Sequence, residues 1–311
     1  MSVRMKGKHL VSLKDFTREE LGQIFDLARR LKLDLYSGRP HPLLAGKTLG
    51  MIFQKPSLRT MVSFQVGMHQ LGGYALYLGP DQISIGKRET TEDIAKVLSS
   101  YVDGIMARTF EHSIVEDLAK YSRVPVINGL TDFNHPCQIL ADLFTVLEKK
   151  GRLDGLKLAY IGDGNNVTHS LLYGCTKVGM SIALATPKTH RPLEHVVQTA
   201  REEAARTGCT VEVTDDPARA VRGADVLYTD VWTSMGQEKE REERLRLFQG
   251  YQINLALLKQ ANPDAIVLHC LPAHYNEEIT HEAAHGPQSA IFQQAENRLH
   301  AQKAVLALLM G

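Results

Sequence analysis

Apolar residues recur at helical spacing over residues 17–34, with Leu21, Ile24, Phe25, Leu27, Ala28 and Leu31 on one side, and Thr17-Arg18-Glu19-Glu20 reads as a first turn. Short apolar runs then alternate with helix-like stretches. TLGMIF (48–53), YALYLG (74–79), GIMAR (104–108) and VPVING (124–129) predict strands, and the segments near 57–71, 91–102 and 112–120 predict helices between them. A helix over about 136–150 leads to a charged turn at 149–152, after which the rhythm restarts. LKLAYI, SIALAT, CTVEVT, DVLYTDV and AIVLHCL predict further strands, and residues 297–310 predict a closing amphipathic helix.

Alternation of this kind is satisfied by a parallel sheet with helices on both faces. The expected fold class is α/β, with two doubly wound parallel-sheet domains joined by interdomain helices. The expected domains span residues 1–135 and 150–292, with interdomain helices at 136–149 and 293–311. No sequence repeat or low-complexity tract accompanies the recurrence, so the repetition is one of topology.

Length and composition narrow the function classes. A chain of 311 residues suits two domains, because single cores stop growing at about 250–300 residues. With 36 basic against 35 acidic side chains, the formal net charge is +1. That gives no global field to gather a polyanion, so neither nucleic acid nor an anionic membrane is an expected partner, and any anion site must be local. Cys137, Cys175, Cys209 and Cys270 are widely spaced with no CxxC pair, which reads as reduced thiols rather than a zinc cluster or a disulfide framework. The opening MSVRMKGKHLVSLKDFTREEL lacks the long apolar stretch of a secretory signal, and no segment approaches about 18 apolar residues. The expected location is cytoplasmic.

Ligands of doubly wound sheets sit beyond the carboxyl ends of the strands. After Phe53 comes Gln-Lys-Pro-Ser-Leu-Arg-Thr (54–60), which places Ser57, Arg59 and Thr60 at a helix N-terminus, where backbone N–H groups, hydroxyls and a guanidinium suit a phosphate. Taken alone, this could equally be a capped helix with a solvated arginine. Arg108 closes GIMAR, and His135-Pro136-Cys137-Gln138 opens the helix after VPVING. With Arg59 and Thr60 these would surround a carbonyl oxygen beside a phosphate, as an acyl phosphate requires.

KPSLRT, HPCQ followed by ILAD, DGNN (163–166), TDVWTSMGQE (229–238), HCLP (269–272) and AENRLHAQKAV (295–305) together resemble the ornithine carbamoyltransferases of the aspartate/ornithine carbamoyltransferase superfamily. The resemblance spans nearly the whole chain, and SMGQ is the segment that separates the ornithine enzymes from the aspartate enzymes. It implies transfer of the carbamoyl group of carbamoyl phosphate to the side-chain amine of L-ornithine, giving citrulline and phosphate, with no metal or organic cofactor. It further implies that Ser57, Leu58, Arg59 and Thr60 wrap the phosphate, and that Arg108, His135, Gln138, Cys270, Leu271 and Arg298 complete the carbamoyl phosphate site. Ser84 would reach a neighbouring subunit's carbamoyl phosphate. Asn166, Asp230, Ser234 and Met235 would hold ornithine, with Cys270 at that end. Arg59, Arg108, His135, Asp230 and Cys270 are the expected catalytic groups, and the resemblance implies a homotrimer or a multiple of trimers.

The chain departs from the family pattern at several points. Met61 and Gln65 stand where an arginine and a glutamate one helical turn apart are usual, Gln293 replaces an aspartate, Tyr275-Asn276 replace Arg-Gly, and Ser84 replaces Gln or His. These departures motivate the rival expectation of a catalytically impaired subunit kept for assembly or ligand binding. Transfer to putrescine or acetylated ornithine is a further rival, although SMG and Asp230 fit a free amino acid better. Two other motifs resemble unrelated chemistry. His281-Glu282-Ala283-Ala284-His285 matches HExxH, but Gly286-Pro287 follow at once and no third ligand stands at the spacing a zinc protease needs. GDGNN lacks the third glycine of a dinucleotide-binding turn.

Overall fold

The computed structural model describes residues 3–83, 85, 88–233 and 238–311. They form two compact units, Met1–Ala141 with Glu296–Gly311, and Asp142–Ala295. Ser84, Ser234 and Met235 lie outside the described residues.

The first unit is built on β1 (Thr48–Phe53), β2 (Tyr74–Leu78), β3 (Gly104–Arg108) and β4 (Val126–Leu130). All pairings are parallel, in the order β2-β1-β3-β4. β1 and β3 are central and buried almost throughout, which is why they read as continuous apolar runs. β2 lies at the edge and leaves Tyr74, Leu76 and Tyr77 exposed. Ile52, Ile105, Ala107 and Val126 pack with Ile94, Val115 and Leu118 of the flanking helices into one apolar cluster. The helix Arg18–Tyr36 starts with a capping box, in which Thr17 Oγ1 accepts from Glu20 N at 3.2 Å and Glu20 Oε2 accepts from Thr17 N at 2.9 Å.

The second unit holds β5 (Lys157–Ile161), β6 (Ser181–Ala185), β7 (Val211–Thr214), β8 (Val226–Thr229) and β9 (Ile266–His269). This sheet is also parallel throughout, in the order β7-β6-β5-β8-β9. Its core includes Ile161, Leu227 and Val267 from the strands, with Trp232, Phe248 and Ile279. In each sheet the strand order reverses beside the first strand, between β1 and β3 and again between β5 and β8. These switch points are where a doubly wound sheet opens a crevice for ligand.

The closing helix differs from its expectation. It runs from Ile291 to Met310, beginning six residues earlier than the apolar periodicity suggested, and it is not amphipathic. Asn297, Arg298, His300, Gln302 and Lys303, which give the sequence a polar face, are all buried. Lys303 and Asn297 find their partners inside the protein: Lys303 Nζ donates to Gln70 Oε1 at 2.8 Å and lies 3.1 Å from His41 Nε2, and Asn297 Oδ1 accepts from Lys32 Nζ at 2.8 Å. A buried polar face with partners looks, in sequence, the same as a solvated one.

Burial, with Lys303 and Lys32 close by, pushes His300 down to about 4. The folded state therefore prefers the neutral ring, whereas the unfolded chain takes up a proton near pH 6.5. His300 contributes its full stabilisation above pH 6.5 and loses it between pH 6.5 and about 4. Urea midpoints measured from pH 7 to 4 are expected to fall less steeply for His300→Asn than for the natural chain.

Candidate active site

In the first unit, β1 ends at Phe53 directly beside Arg108, its register partner on β3. Gln54 ties the two strand ends together, donating its N–H to Arg108 O at 2.9 Å and accepting from Phe110 N at 2.9 Å through Oε1. The chain then turns into the helix Leu58–Gln70. Ser57 is its N-cap, accepting from Thr60 N at 3.3 Å and donating to Thr60 Oγ1 at 3.1 Å. Thr60 is fully buried, Arg59 half-buried and Leu58 exposed.

Arg298, on the closing helix, connects this turn to a third segment. Its guanidinium donates to Gln138 Oε1 at 2.6 Å and to Thr60 Oγ1 at 3.2 Å. With the Gln302 amide turned so that its oxygen faces the guanidinium, that oxygen accepts from Arg298 Nη2 at 3.0 Å and Nε at 3.1 Å. His135 stands immediately before the helix Pro136–Lys150, and His135, Gln138, Arg108 and Arg298 are all buried. Burial, reinforced by the guanidinium groups of Arg298, Arg108 and Arg59, holds His135 well below the usual histidine range. The ring is therefore neutral at pH 7 within a strongly positive surround. Lys55 adds to that surround; burial and the neighbouring Arg108 lower its pKa. Four separate segments thus bring three guanidinium groups, a neutral imidazole, two hydroxyls and a helix N-terminus together, an arrangement suited to a small dianion and an adjoining carbonyl.

The second unit builds its site around acids. Asp230, just past β8, is 7% exposed. Its Oδ1 accepts from Val231 N at 2.8 Å and from the Cys270 thiol at 2.9 Å, and its Oδ2 accepts from Asn165 Nδ2 at 2.9 Å. Cys270 follows β9, the neighbour of β8. Asn166 is half-buried and opens the helix Asn166–Lys177, which Asn165 caps by accepting from Val167 N at 2.9 Å. Gly164 must be glycine, because a Cβ there would lie 2.3 Å from Pro192 N. Asp163 pairs with buried Arg244 at 2.9 Å, and Arg244 also donates to Trp232 O at 3.1 Å, joining the turns after β5 and β8.

The turn after β9 has its own support. Leu271 has φ 57, a left-handed conformation that costs a leucine on the order of 1–2 kcal/mol. Its N–H donates to His269 Nδ1 at 2.8 Å, and His269 Nε2 lies 2.9 Å from Glu278 Oε1. Asp230, His269 and Cys270 lie close enough to share a metal ion, but both ring nitrogens of His269 are committed to these bonds. His281 and His285 occupy a five-residue helix ended by Gly286, with stacked rings 4.2 Å apart, and His285 Nε2 lies 3.1 Å from Tyr275 Oη. Among the described residues, neither joins a group of three or more metal-ligating side chains.

Of the residues singled out from sequence, Ser57, Arg59, Thr60, Arg108, His135, Gln138 and Arg298 converge in the first unit, while Asp230 and Cys270 are bonded in the second. Sequence reasoning overlooked Gln54, Lys55, Asp163, Asn165, Arg244, Gln302, His269 and Glu278. Lys55, Asp163, Asn165 and His269 lay inside the quoted motifs KPSLRT, DGNN and HCLP, whereas Arg244 and Glu278 carried no signal until the fold brought them in.

The carbamoyl-P binding domain of the aspartate/ornithine carbamoyltransferases matches residues 8–148, and their Asp/Orn binding domain matches residues 154–309. The ornithine carbamoyltransferase of Thermococcus kodakarensis is 56% identical over 311 residues, covering 100% of this chain and 99% of that one. The anabolic ornithine carbamoyltransferase of Pyrococcus furiosus is 54% identical over 311 residues, covering 100% and 99%. A solved structure of ornithine carbamoyltransferase from Pyrococcus furiosus superposes with a TM-score of 0.97 at 54% identity, covering 99% of each chain. With both domains matched and relatives this similar over its full length, the chain belongs to the aspartate/ornithine carbamoyltransferase family.

Proposed function

We propose that this protein is an ornithine carbamoyltransferase, transferring the carbamoyl group of carbamoyl phosphate to the side-chain amine of L-ornithine to give L-citrulline and phosphate. The observation that carries the reading is the neutral His135 set among Arg59, Arg108 and Arg298, beside Thr60 and the helix N-terminus capped by Ser57. Guanidinium groups and backbone N–H groups neutralise the phosphate. Arg108, His135 and Thr60 donate to the carbamoyl oxygen as it gains charge, and because these donors are held in advance, no reorganisation is needed in the transition state. Gln138 and Arg298 keep Thr60 in line.

Asp230 receives the α-ammonium of ornithine, and Asn166 the α-carboxylate; Ser234 and Met235 belong to the same expectation. An alkylamine has a pKa near ~10.4, so only about one molecule in a thousand is nucleophilic near neutral pH, and the site must select the free base. The amine attacks the carbamoyl carbon, an oxyanion forms, and phosphate leaves with the electrons of the broken C–O bond and takes up the proton that the attacking nitrogen gives up. The Cys270 thiol donates to the Asp230 carboxylate, which disfavours a thiolate, so Cys270 acts by position rather than as a nucleophile. Gln293, one departure from the family pattern, donates to Glu148 Oε2 at 2.8 Å and is thus accommodated.

The anabolic name of the Pyrococcus furiosus relative supports a place in arginine biosynthesis. No helix among the described residues is long and apolar enough to cross a membrane, which agrees with a cytoplasmic enzyme. Assembly as a trimer or a multiple of trimers is supported by the exposed apolar residues Tyr74, Leu76 and Tyr77 on the edge strand β2, and by Leu58 and Val62 on the helix packed beside it. Light scattering is expected to report a whole multiple of three 34.6 kDa chains.

The decisive assay incubates purified protein with carbamoyl phosphate and L-ornithine and measures citrulline and phosphate, expected in equal amounts. Absence of citrulline, or faster turnover of putrescine or acetylated ornithine, overturns the assignment. Arg108→Met is expected to lower kcat/KM by about 10²–10³-fold, as loss of an oxyanion donor does. Asn165→Asp keeps an oxygen for the helix cap but sets a carboxylate against Asp230. Its KM for ornithine is expected to rise roughly tenfold or more while the KM for carbamoyl phosphate stays unchanged.

A further inference from the structure

The turn after β9 carries Cys270 and Leu271, and its shape depends on a side chain that touches neither. The Leu271 N–H can only donate, so His269 Nδ1, 2.8 Å away, must present a lone pair. The ring proton then resides on Nε2, which donates to Glu278 Oε1 at 2.9 Å. The same carboxylate oxygen accepts from His274 N at 2.6 Å, and Glu278 is fully buried. From its other side, His269 is fixed through its backbone N–H, which donates to Gln294 Oε1 at 2.8 Å; Gln294 Nε2 in turn donates to Asp142 Oδ1 at 2.7 Å. The imidazole thus has one available tautomer and one orientation. In the opposite tautomer an Nδ1–H would face the Leu271 N–H, donor against donor. Leu271 would then lose the bond that holds it at φ 57, and the Cys270–Leu271 peptide would turn. Any such turn carries the Cys270 thiol off Asp230 Oδ1, at present 2.9 Å away.

Resting on the function proposed above, we infer that Glu278 is a positioning residue for carbamoyl transfer: its carboxylate fixes His269 as the Nε2–H tautomer, and His269 holds Cys270 and Leu271 in their working shape. Glu278 meets neither substrate and acts only through the imidazole. This assigns a role to a residue outside the HCLP motif, and it explains why a carboxylate is buried there. On the Glu278 side the nearest other groups are His274 Nδ1, 4.0 Å from Glu278 Oε2, and Glu277, which pairs with Arg241; on the far side of His269 the Asp230 carboxylate and the Cys270 thiol lie within 4.8 Å of the ring. Neither His274 nor Glu277 reaches the His269 ring in the described hydrogen bonds.

Two measurements test the relay. Nitrogen-15 NMR of histidine-labelled natural protein, with the His269 signal identified by its loss in His269→Gln, is expected to show a neutral ring protonated at Nε2. A ring protonated at Nδ1, or at both nitrogens, overturns the inference without requiring any Glu278 variant to fold. In steady-state kinetics, Glu278→Ala is expected to lower kcat about 30-fold or more while both KM values stay within about threefold. Glu278→Gln, whose amide oxygen can accept the same two N–H groups, is expected to recover kcat to within about fivefold of the natural enzyme. Equal losses in the Ala and Gln variants, or an unchanged kcat in a folded Ala variant, overturn it. Should the natural protein make no citrulline, the functional assignment fails, while the tautomer measurement still decides whether the relay exists.

Discussion

Positive charge held together against its own repulsion is the constraint around which the first unit is organised. Arg59, Arg108 and Arg298 come from a helix start, a strand end and the closing helix, and each depresses the basicity of the same buried imidazole. Such a cluster survives only if each cation is fastened by something other than a counter-ion. Gln138, Thr60 and Gln302 supply neutral acceptors for Arg298, and the β1–β3 register fixes Arg108 beside the turn that carries Ser57 and Thr60. Neutral acceptors satisfy the N–H groups without cancelling the charge, so the field stays available for a dianion. An aspartate in place of Gln138 or Gln302 would hold Arg298 more tightly and spoil the site.

The second unit follows the opposite electrostatic logic. Asp230, Asp163 and Glu278 are buried carboxylates, each given donors by residues of other segments: Asn165 and the Cys270 thiol for the first, Arg244 of the helix Arg241–Leu247 for the second, His269 for the third. Burial raises the pKa of Asp163 even with Arg244 beside it, because the carboxylate is withdrawn from water. A unit that collects cations and a unit that collects carboxylates match two substrates of unlike charge, the mixed anhydride of carbamic and phosphoric acids and a diamino acid. The chain's near-neutral total charge conceals this division.

The strands were legible because buried parallel strands are continuous apolar runs of restricted length, as TLGMIF and GIMAR are. The clustered residues Arg59, Arg108 and His135 were legible because each stands at a strand end or a helix start, and Gln138 because it shares the HPCQ run with His135. The closing helix was misread for a specific reason. A polar stripe signals solvent only when no internal partner exists, and Lys303 has one in Gln70, while Asn297 has one in Lys32, both hundreds of positions away. The resemblance pointed to Asn166, whereas Asn165 is the residue that caps the helix and donates to Asp230, a division of roles that two adjacent asparagines do not show in sequence.

What the sequence determined by itself was therefore local: the period of the apolar pattern, the caps, and chemical groups placed at the ends of regular elements. Those features depend on residues within a few positions of one another, where steric and hydrogen-bonding preferences act directly on the backbone. Tertiary structure alone decided the long-range pairings, Arg298 with Thr60 and Gln138, Arg244 with Asp163, and Asp230 with Asn165 and Cys270. Those contacts exist only after the strands have taken their order in the sheet, because strand order brings remote segments to a common edge, and nothing in a linear pattern of apolar and polar residues records which segments will meet there.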